Sequence, residues 1–207
     1  MSDRPRNKMS RRDLLLFWRR PEPEPATGPS RGVEEAATDD WPRDRIPGPS
    51  FGHRLPLRPP GTMQEYLLRE ACTRCGKCVE ACPAEAIYPL GPAWGTAQGT
   101  PAIDPRKSPC VLCTGFQCTQ VCPSGALQPL CSVPEIKMGT ARVDPELCLT
   151  YQHIPCHDCV DACPVPGAIA RDADLHPRID PHVCVGCGLC VRPCPTERTA
   201  IDVVPRD

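Results

Sequence analysis

The sequence predicts an α+β fold: small two-stranded sheets and short helices, repeated in tandem behind a disordered N-terminal arm. Three observations lead there. Sixteen of the seventeen cysteines fall into four groups of four. Short, β-prone apolar stretches bounded by Pro, Gly and Asp follow each group, with no long apolar run. Residues 1–60, by contrast, are rich in Pro, Gly, Arg and acids without a sustained period, a composition that cannot bury a core.

Composition narrows the chemistry. The 207 residues suffice for one or two small domains. With only 3 Trp, 3 Tyr and 3 Phe against 29 Pro, the core is poor, and small domains of that kind need disulfides or metal as staples. The odd cysteine total and the grouping in fours argue against a disulfide framework. A formal charge of −1 gives no nucleic-acid signal. The longest early apolar run, Leu14 to Trp18, is far short of the ~20 residues a transmembrane span requires.

A lead-in helix is expected over Met63 to Ala71. The first group is Cys72, Cys75, Cys78 and Cys82, closed by Pro83, with the spacing C-x2-C-x2-C-x3-C-P. Ala86 to Tyr88 and Pro101 to Asp104 then read as hairpin strands around a loop from Gly91 to Gly99. In the second group, Cys110, Cys113, Cys118 and Cys122 with Pro123, the middle interval widens to four residues. Ala126 to Gln128 reads as a strand, and residues 129–140 as a connector holding Cys131, an idle or buried thiol outside the pattern. Strand residues Ala141 to Val143 lead to the third group, Cys148, Cys156, Cys159 and Cys163 with Pro164, whose first interval is stretched to seven. Ala168 to Ala170 and Arg178 to Asp180 form the next hairpin. The fourth group, Cys184, Cys187, Cys190 and Cys194 with Pro195, returns to the first spacing, and Ala200 to Val203 closes the chain. An apolar residue followed by Asp-Pro recurs at Ile103, Val143 and Ile179, each time shortly before a group.

These spacings suit iron–sulfur clusters. Zinc accepts C-x2-C pairs but takes four ligands in two separated pairs, which leaves the third cysteine and the C-x3-C-P ending unexplained. In every group the last two cysteines are four apart, one helical turn, and a proline then ends the turn. In two-cluster ferredoxins the first three cysteines of such a run hold one cluster and the fourth reaches the other. Sequential pairing therefore assigns Cys72, Cys75, Cys78 and Cys122 to a first 4Fe–4S cluster, and Cys110, Cys113, Cys118 and Cys82 to a second. Cys148, Cys156, Cys159 and Cys194 hold a third, and Cys184, Cys187, Cys190 and Cys163 a fourth. A nested arrangement, with the outer groups paired around the middle two, is the alternative. The resulting organisation is an arm over 1–60, a first dicluster ferredoxin-like domain over 61–130 and a second over 141–207.

No nucleophile–base pair, Gly-rich phosphate loop or open metal site is visible, so no catalytic residue is assigned. His157, between two candidate ligands, reads as an exposed side chain. The expected function is an electron carrier that passes single electrons to or from a partner redox enzyme; an accessory or assembly factor is the alternative. Residues 14–18, flanked by arginines, are the candidate docking segment for that partner or for a membrane surface. Ser10-Arg11-Arg12 resembles the start of a twin-arginine export signal, but Arg19-Arg20-Pro21 ends the apolar run too early. A cytoplasmic location is expected, with export to the periplasm as the alternative.

The four groups together resemble the MauM/NapG-type ferredoxins, accessory electron-transfer proteins of methylamine dehydrogenase and periplasmic nitrate reductase systems. The unequal second and third groups, Cys110 to Cys122 and Cys148 to Cys163, carry the resemblance, which spans about residues 61–207. It implies four 4Fe–4S clusters on the cysteines named above. The N-terminal Ser10-Arg11-Arg12 with Leu14 and Leu15 is also similar to the start of the cytoplasmic NapF-like ferredoxins.

Overall fold

The computed structural model describes residues 55–206. Leu14 to Trp18, the arginines before them and most of the expected arm lie outside the described residues. The remainder is α+β, built from three antiparallel two-stranded sheets and helices of one or two turns.

Ordered structure begins before residue 61. Leu57 bridges Ile103 and is 6% exposed, and Arg58 beside it is buried to the same degree. Composition had assigned both to the arm. What holds Arg58 is its planar fork. Nε and Nη2 donate to Oε2 and Oε1 of Glu65 at 2.8 and 2.6 Å, and Nη1 donates to Thr100 Oγ1 and the Pro101 carbonyl. Burial pushes the Glu65 carboxyl up, but hydrogen bonds and charge from Arg58 and Arg69 more than offset it, leaving the group below its ordinary value. Glu65 opens helix α1 (Glu65–Ala71), where an acid favours the N-terminal dipole. The helix buries Leu68 completely and stops at Ala71, so Cys72 begins its loop in extended conformation.

Helix α2 (Lys77–Glu80) is a single turn. Strands β1 (Ile87–Pro89) and β2 (Pro101–Ile103) pair in register Ile87↔Ile103, and Leu90, Ala97 and Ala102 form a small core of their own under the loop between them. That loop holds a 3-10 turn, Pro92–Ala97, where no secondary structure was expected. Helix α3 (Gln117–Gln120) follows the second loop. The strand expected over Ala126 to Gln128 is reduced to one bridge, Thr62↔Leu127. Between the halves, Val133–Glu135 form a further 3-10 turn.

Strand β3 (Gly139–Val143) starts two residues earlier than the alternation suggested and pairs with β6 (Ile201–Pro205) over five residues. Inside that pair lie helix α4 (Asp158–Asp161) and the hairpin of β4 (Ile169–Arg171) and β5 (Pro177–Ile179). Asp172 shapes the hairpin turn: Oδ1 accepts the backbone N–H groups of Asp174 and His176, and Oδ2 accepts Arg178 Nε at 2.8 Å. The fourth group has no helix. Pro193, between Cys190 and Cys194, lacks the N–H that a helical turn needs, and only turns form there.

One hydrophobic core runs through both halves. Leu68, Ile87 and Phe116 of the first join Ile136, Val191 and Ile201 of the second. Backbone and side chains cross the seam as well. The Cys110 N–H donates to the Cys187 carbonyl at 3.0 Å, and Arg106 pairs with Asp202 at 3.1 Å.

A candidate metal centre in four parts

Each cysteine loop is bent by left-handed residues. In the first, Arg74 and Gly76 flank Cys75 at φ 56° and 76°; in the fourth, Gly186 and Gly188 flank Cys187 at 76° and 82°. Leu112 takes the same conformation just before Cys113. Left-handed residues between helical ones turn successive backbone N–H groups to one side, a concavity that suits anionic groups and iron–sulfur sites. Arg74 tolerates this strain because its guanidinium is anchored on the carbonyls of Gln98 and Thr96. At Gly186 and Gly188 the glycine is needed for space too: a Cβ on Gly186 would lie 2.4 Å from the Gly139 nitrogen, and one on Gly188 2.5 Å from Pro105 Cβ. The third loop is routed differently. Its extra residues form the 3-10 turn Leu149–Gln152, which His153 ends at φ 60°.

The loops bring the sixteen grouped cysteines together in four cavities, each lined by four of them. Cys72, Cys75, Cys78 and Cys122 line the first, and Cys82, Cys110, Cys113 and Cys118 the second. The third is lined by Cys148, Cys156, Cys159 and Cys194, and the fourth by Cys163, Cys184, Cys187 and Cys190. In every cavity three thiols come from one group and one from its neighbour. The reason is the short turn after the third cysteine. Cys78 lies within α2 and faces the first cavity, while Cys82, one turn on, lines the second.

The cavities are not equivalent. The first measures about 270 Å³, and its Cys75 is exposed; the other three measure about 20 Å³ each. Cys118, Cys148, Cys187 and Cys190 are buried.

Burial and mutual proximity raise six of the grouped thiols. Burial pushes Cys78 up to about 11, and the nearby Cys72, Cys122 and Cys75 add to it. Burial likewise lifts Cys110 and Cys159 to about 11 and Cys118 to about 12, with neighbouring cysteines adding in each case. Cys187 and Cys190 are raised for the same reasons. Four thiolates so placed repel one another until a cationic core neutralises them. Two thiols move the other way, both in the first cavity. The Lys77 N–H and then the Thr73 hydroxyl lower Cys75. At Cys122 burial is outweighed by hydrogen bonds from the Leu127 backbone and from Ser124.

Backbone N–H groups already point at the sulfurs. Ala86 donates to Cys82 Sγ at 3.3 Å, Leu127 to Cys122 at 3.4 Å and Ala200 to Cys194 at 3.3 Å. Each donor follows a Cys-Pro turn, which folds the chain back over its own sulfur. Ala141 donates to Cys184 at 3.4 Å from strand β3. Four sulfurs, apolar walls and N–H donors together fit a 4Fe–4S cluster in each cavity.

Other candidates stay outside. Cys131 is exposed. His157 is exposed as well, its Nδ1 2.6 Å from Asp161 Oδ2. Among the described residues no helix is long and apolar enough to cross a membrane. Backbone hydrogen bonds such as Cys110–Cys187 carry no sequence signal, because the two residues are 77 positions apart and pair only through the seam.

Comparison with known proteins bears on the same residues. Residues 71–126 match the 4Fe-4S dicluster domain and residues 177–197 the 4Fe-4S binding domain. The methylamine utilization ferredoxin-type protein MauM of Methylophilus methylotrophus is 38% identical over 161 residues, covering 73% of this chain and 71% of that protein. The ferredoxin-type protein NapG of Escherichia coli K12 is 38% identical over 162 residues, covering 72% and 70%. NapG of Haemophilus influenzae is 36% identical over 74% of this chain, which spans 60% of that relative's length. Shared identity at this level, across most of both sequences, establishes that the chain belongs to the NapG/MauM family of ferredoxin-type proteins.

Proposed function

We propose that the chain is an electron-transfer protein that carries four 4Fe–4S clusters and passes single electrons to or from a partner redox enzyme. The observation that carries this reading is the division of sixteen cysteines into four cavities of four. The proposed ligands are the four sets named above, within dicluster domains over 61–130 and 141–207. When bound, each cluster supplies one-electron chemistry at a potential its surroundings set. The chain's own part is to hold the sulfurs, exclude water and tune charge. Buried Cys118, Cys187 and Cys190 keep the second and fourth sites dry. The N–H donors on Cys82, Cys122, Cys184 and Cys194 favour added negative charge. No residue is assigned a role in substrate chemistry, and the partner proposed is a redox protein. A cytoplasmic location completes the proposal, and fractionation of cells producing the full chain tests it.

Anaerobic purification tests the cluster reading. About sixteen iron and sixteen sulfide per chain are expected for four cubanes. Stoichiometric zinc without sulfide would overturn it.

A further inference from the structure

We infer that the four cysteine sites stand in an unbranched row whose order is first, second, fourth, third, with the contact between Cys110 and Cys187 as its joint. The inference rests on the cluster reading above and concerns how this chain arranges the sites. Sequence order would place the third site after the second, and the structure departs from it.

Within each half the neighbours follow from the crossed cysteines. Cys78 lines the first cavity and Cys82, four residues on, the second. Cys159 and Cys163 do the same for the third and fourth. Cys110 lines the second cavity and Cys187 the fourth, and the N–H of the first donates to the carbonyl of the second at 3.0 Å. Two ligand-bearing residues are therefore joined by one backbone hydrogen bond. Immediately beside it, the Gly188 backbone lies on buried Pro105, so close that a Cβ would fall 2.5 Å from the proline's own. Arg106 and Asp202 tie the outer edge of the same seam. Pro105, Cys110, Cys187 and Gly188 are thus positioning residues for the row. Its two ends are the first site, with the exposed Cys75, and the third.

Paramagnetic resonance on the dithionite-reduced chain tests the order, because reduced clusters that are neighbours broaden and split one another's signals. A variant with Cys75→Ala and Cys156→Ala keeps the second and fourth sites; one with Cys75→Ala and Cys187→Ala keeps the second and third. The row predicts interaction splitting in the former and a simple sum of two signals in the latter. Splitting in the latter and none in the former would overturn it. Should either variant fail to hold about eight iron, Pro105→Glu decides instead, since it leaves all sixteen ligands in place and wedges the seam. The expected result is about sixteen iron with loss of the splitting between the halves. A spectrum identical to that of the unaltered chain at full iron content would overturn the joint. If the unaltered chain itself lacks iron and sulfide, it is the cluster reading that fails.

Discussion

In the second half the terminal strands pair over five residues, from Gly139↔Pro205 to Val143↔Ile201. Arg206, just beyond, donates to Thr140 and to the carbonyls of Pro181 and Cys184. Among the described residues the first half has no such strand pair. Two single bridges, Leu57↔Ile103 and Thr62↔Leu127, stand in for it, and a buried Arg58–Glu65 pair does much of the remaining work. Both halves present the same four-sulfur chemistry. They differ in how the ends of each unit are tied, and in the openness of the site nearest the weaker closure. The first cavity is more than ten times the volume of the others and holds the one exposed thiol among the sixteen. Similar sets of four sulfurs thus sit in surroundings of different size, and within the first half the difference falls on the first site alone.

Removing the iron gives the largest effect. With Phe116 the single aromatic among the buried residues of the shared core, each half is expected to depend on its metal to hold the loops together, as small metallodomains do. Chelation under oxidising conditions should abolish cooperative unfolding and expand the chain, as followed by circular dichroism and hydrodynamic radius. A second half that keeps its β3–β6 structure without iron would show that backbone closure suffices there.

Arg58→Met comes next and strikes the first half alone. It leaves Glu65 partly buried with only Arg69, at a cost of about 3 kcal/mol. Denaturant unfolding measures it, and adding Glu65→Leu should recover most of the loss. The pair also gives a pH signature. The folded-state value for Glu65 lies below its ordinary 4.5, so its stabilisation is fully present above that pH and fades as pH falls through the folded value. The stability gap between the unaltered chain and Glu65→Gln should therefore narrow below pH 4.5. Gly186→Ala is the smaller test, in the second half. Its φ of 76° and the Gly139 backbone at 2.4 Å oppose any side chain, so a loss of about 2 kcal/mol is expected in the same unfolding measurement.

Much of this was legible in the residue order, for a definite reason. A metal loop is local: the ligand spacing and the closing proline of each group lie within 12 to 17 residues, and both hairpins carry short apolar runs between turn residues. What stayed hidden is non-local. Arg58, between Leu57 and Pro59, reads as part of a solvated arm, and only Glu65, Thr100 and Pro101 explain why it is buried. The pairing of β3 with β6 joins stretches that enclose the whole second half. Pro105 and Gly188 meet across the seam with no periodicity to announce it. One feature was in plain view: Pro193 lies inside the fourth group and removes the helix that the other three groups have.

In the crossed arrangement each site borrows one cysteine from its neighbour, and Cys82→Ser probes that exchange. Low-temperature paramagnetic resonance of the reduced variant can be compared with Cys75→Ser, which strikes the first site, and Cys113→Ser, which strikes the second. The crossed arrangement predicts that Cys82→Ser loses or alters the same signal as Cys113→Ser and leaves the signal affected by Cys75→Ser intact. Loss of the signal that Cys75→Ser removes, with the other unchanged, would contradict it.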